Sequence, residues 1–77
     1  MLSEVITISP KIQSGVPVFT NTRVPVKNFF DYVWAGDSIE EFLNDFPSVS
    51  RNQVLSLLSY IENFFTLRID EHENNLA

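Results

Sequence analysis

The stretch Gly36-Asp37-Ser38-Ile39-Glu40-Glu41-Phe42-Leu43-Asn44-Asp45-Phe46-Pro47-Ser48-Val49-Ser50-Arg51-Asn52-Gln53 decides the fold. Ser38 is followed three residues later by Glu41, and Ser50 by Gln53. Each pair fits a capping box, in which side chains and backbone amides satisfy one another across a first helical turn. Gly36 supplies the left-handed residue that commonly ends a helix, and Pro47 forbids a helix from continuing through it. Two starts and two sharp stops this close together predict three helices with very short connections.

Working outward, the first helix is predicted over 26–35, with Val26, Phe29, Phe30, Val33 and Trp34 at the spacing of one buried stripe. The second is predicted over 39–45, burying Ile39, Phe42, Leu43 and Phe46. The third starts after Ser50, where Val49 and Val54 are placed as a hydrophobic staple, and runs to about residue 67. Its stripe is Val54, Leu57, Leu58, Ile61, Phe64 and Phe65, widened by Leu55 and extended by Leu67 and Ile69. So wide a stripe predicts two covered sides, one inward and one against a partner.

Before the helices, Val5-Ile6-Thr7-Ile8 is β-branched and reads as a short strand. Val16-Pro17-Val18-Phe19 reads as a second, at an edge because Pro17 has no amide to donate. Thr20-Asn21-Thr22 reads as a turn, and Pro25 keeps Val24 extended at the entry to the first helix. The expected class is mainly α with a small N-terminal β element, a three-helix, helix-turn-helix-like (winged-helix-like) domain. One domain is expected over 1–69, with a flexible acidic tail over 70–77.

A chain of 77 residues is near the lower limit for a self-sufficient core, yet 44% of it is hydrophobic and seven residues are Phe. That surplus implies that part of the apolar surface is covered by a second copy or another partner. The absence of cysteine excludes disulfides and thiolate metal sites, and fits a reducing cytoplasm. No apolar run reaches the roughly 18 residues of a membrane span, and the start Met1-Leu2-Ser3-Glu4 lacks a secretion-signal pattern. A soluble, cytoplasmic protein is expected, with no membrane partner. The net charge of −5 argues against general attraction to nucleic acid. Without Asp70, Glu71 and Glu73, five bases face seven acids, or −2, so a local basic face stays open.

Catalysis has little to rest on. His72 is the single histidine and lies near the C-terminus, so neither a triad nor a histidine metal cluster can form. Glu40 and Glu41 are adjacent on a helix and diverge, which fits the macrodipole better than paired acid chemistry. With Gly15 and Gly36 as the only glycines, no phosphate-cradling loop exists. No enzyme activity, small-molecule substrate, metal or cofactor is expected.

Binding has more. Helices two and three could form a helix-turn-helix with Ser50, Arg51, Asn52 and Gln53 at the start of a reading helix, since Arg, Asn and Gln can contact base edges. The competing reading is that Ser50 and Gln53 only cap while Arg51 and Asn52 face solvent. Leu55, Leu58, Phe65, Leu67, Arg68 and Ile69 are the residues expected to meet a protein partner. Arg68 reads equally as a helix-end cation. Trp34 is a core anchor or an interface hot spot, and its place on the stripe favours the core. Thr22-Arg23 reads chiefly as a turn fixed by internal hydrogen bonds, the alternative being a phosphate or carboxylate contact.

The order Ile6 and Ile8, Pro10, Gly15-Val16-Pro17-Val18, Thr22-Arg23-Val24-Pro25-Val26, Gly36-Asp37-Ser38, Ile39-Glu40-Glu41-Phe42-Leu43 and Phe46-Pro47 resembles the prokaryotic family called domain of unknown function 433. Val49-Ser50, Val54, Leu57 and Tyr60 continue the resemblance. Where the family often has Gly-Gly-Lys-Pro and Gly-Thr-Arg, this chain has Ser14-Gly15-Val16-Pro17 and Asn21-Thr22-Arg23, so the first loop lacks a phosphate-binding lysine. The resemblance implies the antitoxin of a type II toxin–antitoxin pair, often beside a toxin with a PIN-like nuclease fold. It further implies a homodimer or higher homo-oligomer, binding to the protein's own promoter DNA, and masking of the toxin by segments toward the C-terminus. The alternative is an adaptor that oligomerises without binding DNA.

Overall fold

The structure, a computed structural model, describes the backbone of residues 2–76 and the side chains of residue 2 and residues 4–68. It has a two-stranded antiparallel sheet followed by three helices. Strand β1 is Ile6–Thr7 and β2 is Val18–Phe19, with Ile6 opposite Phe19 and Thr7 opposite Val18. A single turn of 3-10 helix, Leu2–Glu4, precedes β1, and another, Gln13–Gly15, lies in the connection. The helices are α1, Val26–Trp34; α2, Ile39–Asp45; and α3, Arg51–Leu76.

Both strands are shorter than their β-branched runs. Pro17 lies just outside β2, and its carbonyl accepts the Val26 amide at 2.9 Å, tying the strand entry to the start of α1. Val18 also bridges Pro25, so β2 lies between β1 and the chain entering α1. The intervening turn is held by Thr22, whose hydroxyl donates to the Phe19 carbonyl at 2.7 Å and accepts the Val24 amide at 3.0 Å.

The helix ends follow their local signals. At the end of α1 the Gly36 amide donates to the Val33 carbonyl (3.0 Å) and the Asp37 amide to the Tyr32 carbonyl (2.9 Å). This is a Schellman motif, and it needs the left-handed backbone that Gly36 supplies at φ +82°. Ser38 Oγ accepts the Glu41 amide at 3.1 Å, capping α2. At α3 the box is reciprocal: the Gln53 amide donates to Ser50 Oγ (3.1 Å), and the Ser50 amide to Gln53 Oε1 (2.9 Å).

The core is aromatic at its centre. Phe19, Phe29 and Phe42 are at most 1% exposed, and Val18, Val49 and Val54 are buried around them. Phe42 sits among Phe19, Phe29, Tyr32 and Phe46 with ring centroids 5.0–6.0 Å away, Phe29 and Tyr32 edge-to-face, a favoured quadrupole arrangement. Val49 and Val54, the staple pair, both enter this cluster.

Two expectations about burial fail on α1. Val33 is 49% exposed and Trp34 87% exposed, so Trp34 is no core anchor. Val26 and Phe29 face the core and Tyr32 still packs on Phe42 and Phe46 from the last turn, whereas Val33 and Trp34, the next two residues, are left outside it. The third helix also extends beyond the expected end near residue 67. At about 1.5 Å per residue its 26 residues make a rod of about 39 Å, against a longest molecular dimension of 46 Å.

Candidate protein-interaction surface

The first turns of α3 belong to the body. Val54 and Leu57 are buried, Leu58 is half-buried, and the Gln53 side-chain amide donates to the Thr20 carbonyl at 2.9 Å, linking the helix to the turn after β2. From there the same stripe leaves the body. Ile61 is 39% exposed, Phe64 52% and Phe65 64%, with Leu67 and Leu55 exposed on its flanks. The sequence pattern is thus one continuous stripe, but only its N-terminal part has anything to pack against.

Arg68, one turn beyond Phe64, lays its guanidinium over that ring at 4.6 Å from the centroid. Such a cation–π contact keeps the charge at the edge of the apolar strip without covering it. Of the expected partner-facing residues, Leu55, Phe65, Leu67 and Arg68 are exposed and Leu58 is half-buried. The side chain of Ile69 lies outside the described residues, as do those of the expected acidic tail.

The four residues considered for base contacts are placed differently from one another. Ser50 and Gln53 spend their polar groups on the capping box and on Thr20. Arg51 forms an ion pair with Glu40 of α2, across the short α2–α3 connection. The bond to Glu40 raises the Arg51 pKa, and the bond to Arg51 lowers that of Glu40. Asn52 is exposed. Both members of the Arg51–Glu40 pair are more than half exposed, so its contribution to stability is small. Arg23 is exposed, and its backbone carbonyl accepts from Gln13 Nε2 at 3.2 Å; the turn is fixed by the Thr22 hydroxyl, as above.

A second apolar surface entered the sequence reading only through Trp34, as the interface alternative to a core anchor, and its groove was missed. Trp34 and Val33 at the end of α1, and a groove at its start, lie on the outer flank of the body. The signal available was a stripe on α1 too wide for a nine-residue helix to bury. Among the described residues no group of three or more His, Cys, Asp or Glu side chains is arranged to hold a metal ion, and no helix is long and apolar enough to cross a membrane.

Fold and surface together define a small, mainly helical domain with a two-stranded N-terminal sheet and an outward-facing apolar stripe on its longest helix. The chain belongs to the family described as "Protein of unknown function (DUF433)", whose model matches residues 6–61. That segment runs from β1 to the point where the α3 stripe leaves the body. The chain is also 39% identical over 59 residues to "Uncharacterized protein y4eO" of Sinorhizobium fredii (strain NBRC 101917 / NGR234). This alignment covers 77% of the chain but 27% of that relative, so the chain spans about a quarter of its length. No solved structure matches the chain.

Proposed function

We propose that this protein is a non-catalytic, antitoxin-like binding module that docks a protein partner, a PIN-like nuclease toxin, along the outward stripe of α3. The observation that carries this reading is the exposure of Ile61, Phe64, Phe65 and Leu67 in line with the buried Val54 and Leu57. Isolated apolar residues on a surface are ordinary, but a continuous strip of rings along a projecting helix matches helix-in-groove recognition, with anchors at i, i+3, i+4 and i+7. Phe64 and Phe65 are rigid and large, the type of side chain that carries interface energy.

The promoter-binding half of the reading has less support. Ser50, Arg51 and Gln53 are each engaged within the fold, and the net charge is −5. These two facts favour the second reading, a partner-binding adaptor that does not contact DNA.

Co-expression with the product of the neighbouring gene tests the main reading. The complex is expected to co-purify, and Phe65→Ser is expected to release the partner while the free protein stays folded. A complex unaffected by Phe65→Ser and by Leu67→Ser removes α3 from the interface. Fluorescence anisotropy with the upstream DNA separates the two readings. Salt-sensitive binding weakened by Arg51→Ala would restore the promoter role, and no binding by the protein or its complex leaves the adaptor.

A further inference from the structure

The outer flank of α1 carries a knob and a hole. The knob is Trp34, 87% exposed, with Val33 beside it at 49%. The hole is an open groove of about 550 Å³ at the other end of the same helix, lined by Val16, Pro17, Pro25, Val26, Lys27 and Phe30, with Asn28 at its rim. Lys27 and Trp34 are seven residues apart, so they lie on one face of the helix, separated along its axis by about 10 Å.

We propose that a second copy of this chain covers this flank. The two α1 helices lie antiparallel about a two-fold axis near residues 30 and 31, and each Trp34 seats in the other copy's groove. This does not rest on the reading of α3.

Three observations select a second copy as the occupant. An isologous interface needs one surface patch that is complementary to itself. A knob and a hole at opposite ends of one helix meet that condition, because antiparallel apposition brings residue 34 of each copy over residue 27 of the other. At its two prolines the groove can also be dried without stranding backbone groups. Pro17 and Pro25 have no amide hydrogen, the Pro17 carbonyl accepts the Val26 amide at 2.9 Å, and the Pro25 carbonyl accepts the Asn28 amide at 3.0 Å. Finally, the single cation lining the groove, Lys27, would face the indole of the incoming Trp34, a favourable cation–π pairing. Asp31, which holds Lys27 at 2.8 Å, lies beside the axis and keeps that charge paired. A surface built around one tryptophan is small, so a weak dimer in the micromolar range is expected.

Trp34 is the single tryptophan of the chain, so its fluorescence reads the proposed contact directly. The experiment is sedimentation velocity on the full chain from nanomolar to high micromolar concentration, with emission and acrylamide quenching followed in parallel. A monomer–dimer equilibrium is expected, in which emission moves to shorter wavelength and quenching falls as the dimer forms. Trp34→Ala is expected to raise the dimer dissociation constant by about 30-fold or more. Val16→Glu, which leaves the indole in place, is expected to abolish the dimer and the spectral shift together, with circular dichroism showing an unchanged fold. Phe65→Ser on α3 is expected to leave both intact. A monomer throughout, or a dimer in which Trp34 stays as quenchable as in the monomer, would overturn the proposal. So would a dimer that survives Val16→Glu, or one that Phe65→Ser dissolves and Trp34→Ala does not.

Discussion

Phe42 and Phe65 are the same residue type on amphipathic helices of one small domain, yet one is fully buried and the other is 64% exposed. Phe42 sits on a short helix enclosed by β2, α1 and the start of α3, so other rings meet it from several directions. Phe65 follows the same periodic rule on a helix that has outrun its neighbours. The contrast shows that an apolar stripe records a demand for cover, whereas the length and placement of the neighbouring elements decide whether the chain itself meets it. In the body the demand is met by a second structural layer; along distal α3 it is not met by the described residues of the chain.

The contrast can be broken most severely at its buried end. Phe42→Ala should remove about 3–5 kcal/mol, a large part of the stability of a domain this size, and leave the protein unfolded or nearly so at 25 °C by circular dichroism. A cooperative melt with an unchanged midpoint would mean that the aromatic cluster does not hold the body together. A smaller effect is expected at the junction between the two regions. Ser50→Ala removes the acceptor for the Gln53 amide and should lower stability by about 1 kcal/mol, or the melting temperature by about 4–8 °C.

Alkaline titration sharpens the comparison further, because Tyr32 sits in the body. Tyr32 donates to Asp45 Oδ2 at 2.5 Å. That bond first, then desolvation and the Asp45 charge, pushes the phenol from its ordinary 10.0 up to about 12. The folded chain thus holds this proton more tightly than the unfolded one. The contribution is complete below pH 10.0 and is lost as pH rises through about 12, so stability should fall across that window. Denaturant melts of Tyr32→Phe should show a shallower decline than the parent over the same range. The smallest change is expected at the exposed end. Phe65→Ser should alter the stability of the free protein by no more than about 0.5 kcal/mol, since it uncovers nothing inside the body.

The parts legible in the sequence were those encoded by neighbours in the chain. Gly36, Ser38, Pro47 and the Ser50–Gln53 box act within a turn or two, and α2 runs over 39–45 as its caps require. Long-range placement was less legible. Trp34 satisfies the stripe of Val26, Phe29 and Phe30, but nothing near it in sequence states that Tyr32, rather than Trp34, is the ring of the last turn that meets the core. Gln53 reads as a cap, and its second bond, to the Thr20 carbonyl 33 residues away, depends on how the β turn docks. Arg51 reads as a free cation because Glu40, its ion-pair partner, lies on the preceding helix. The surplus of apolar residues was visible from composition alone, whereas its division between α3 and the outer flank of α1 required the fold.

Amide hydrogen exchange along α3 tests the central claim most directly, measured on the free protein at low concentration and again on a complex with the proposed partner. The amides of residues 54–58, seated on the body, should be protected in both samples. Those of residues 61–68 should exchange much faster in the free protein and gain protection in the complex. Equal, strong protection of both segments in the free monomer, with no further gain on binding, would contradict the account: the stripe would then already be covered.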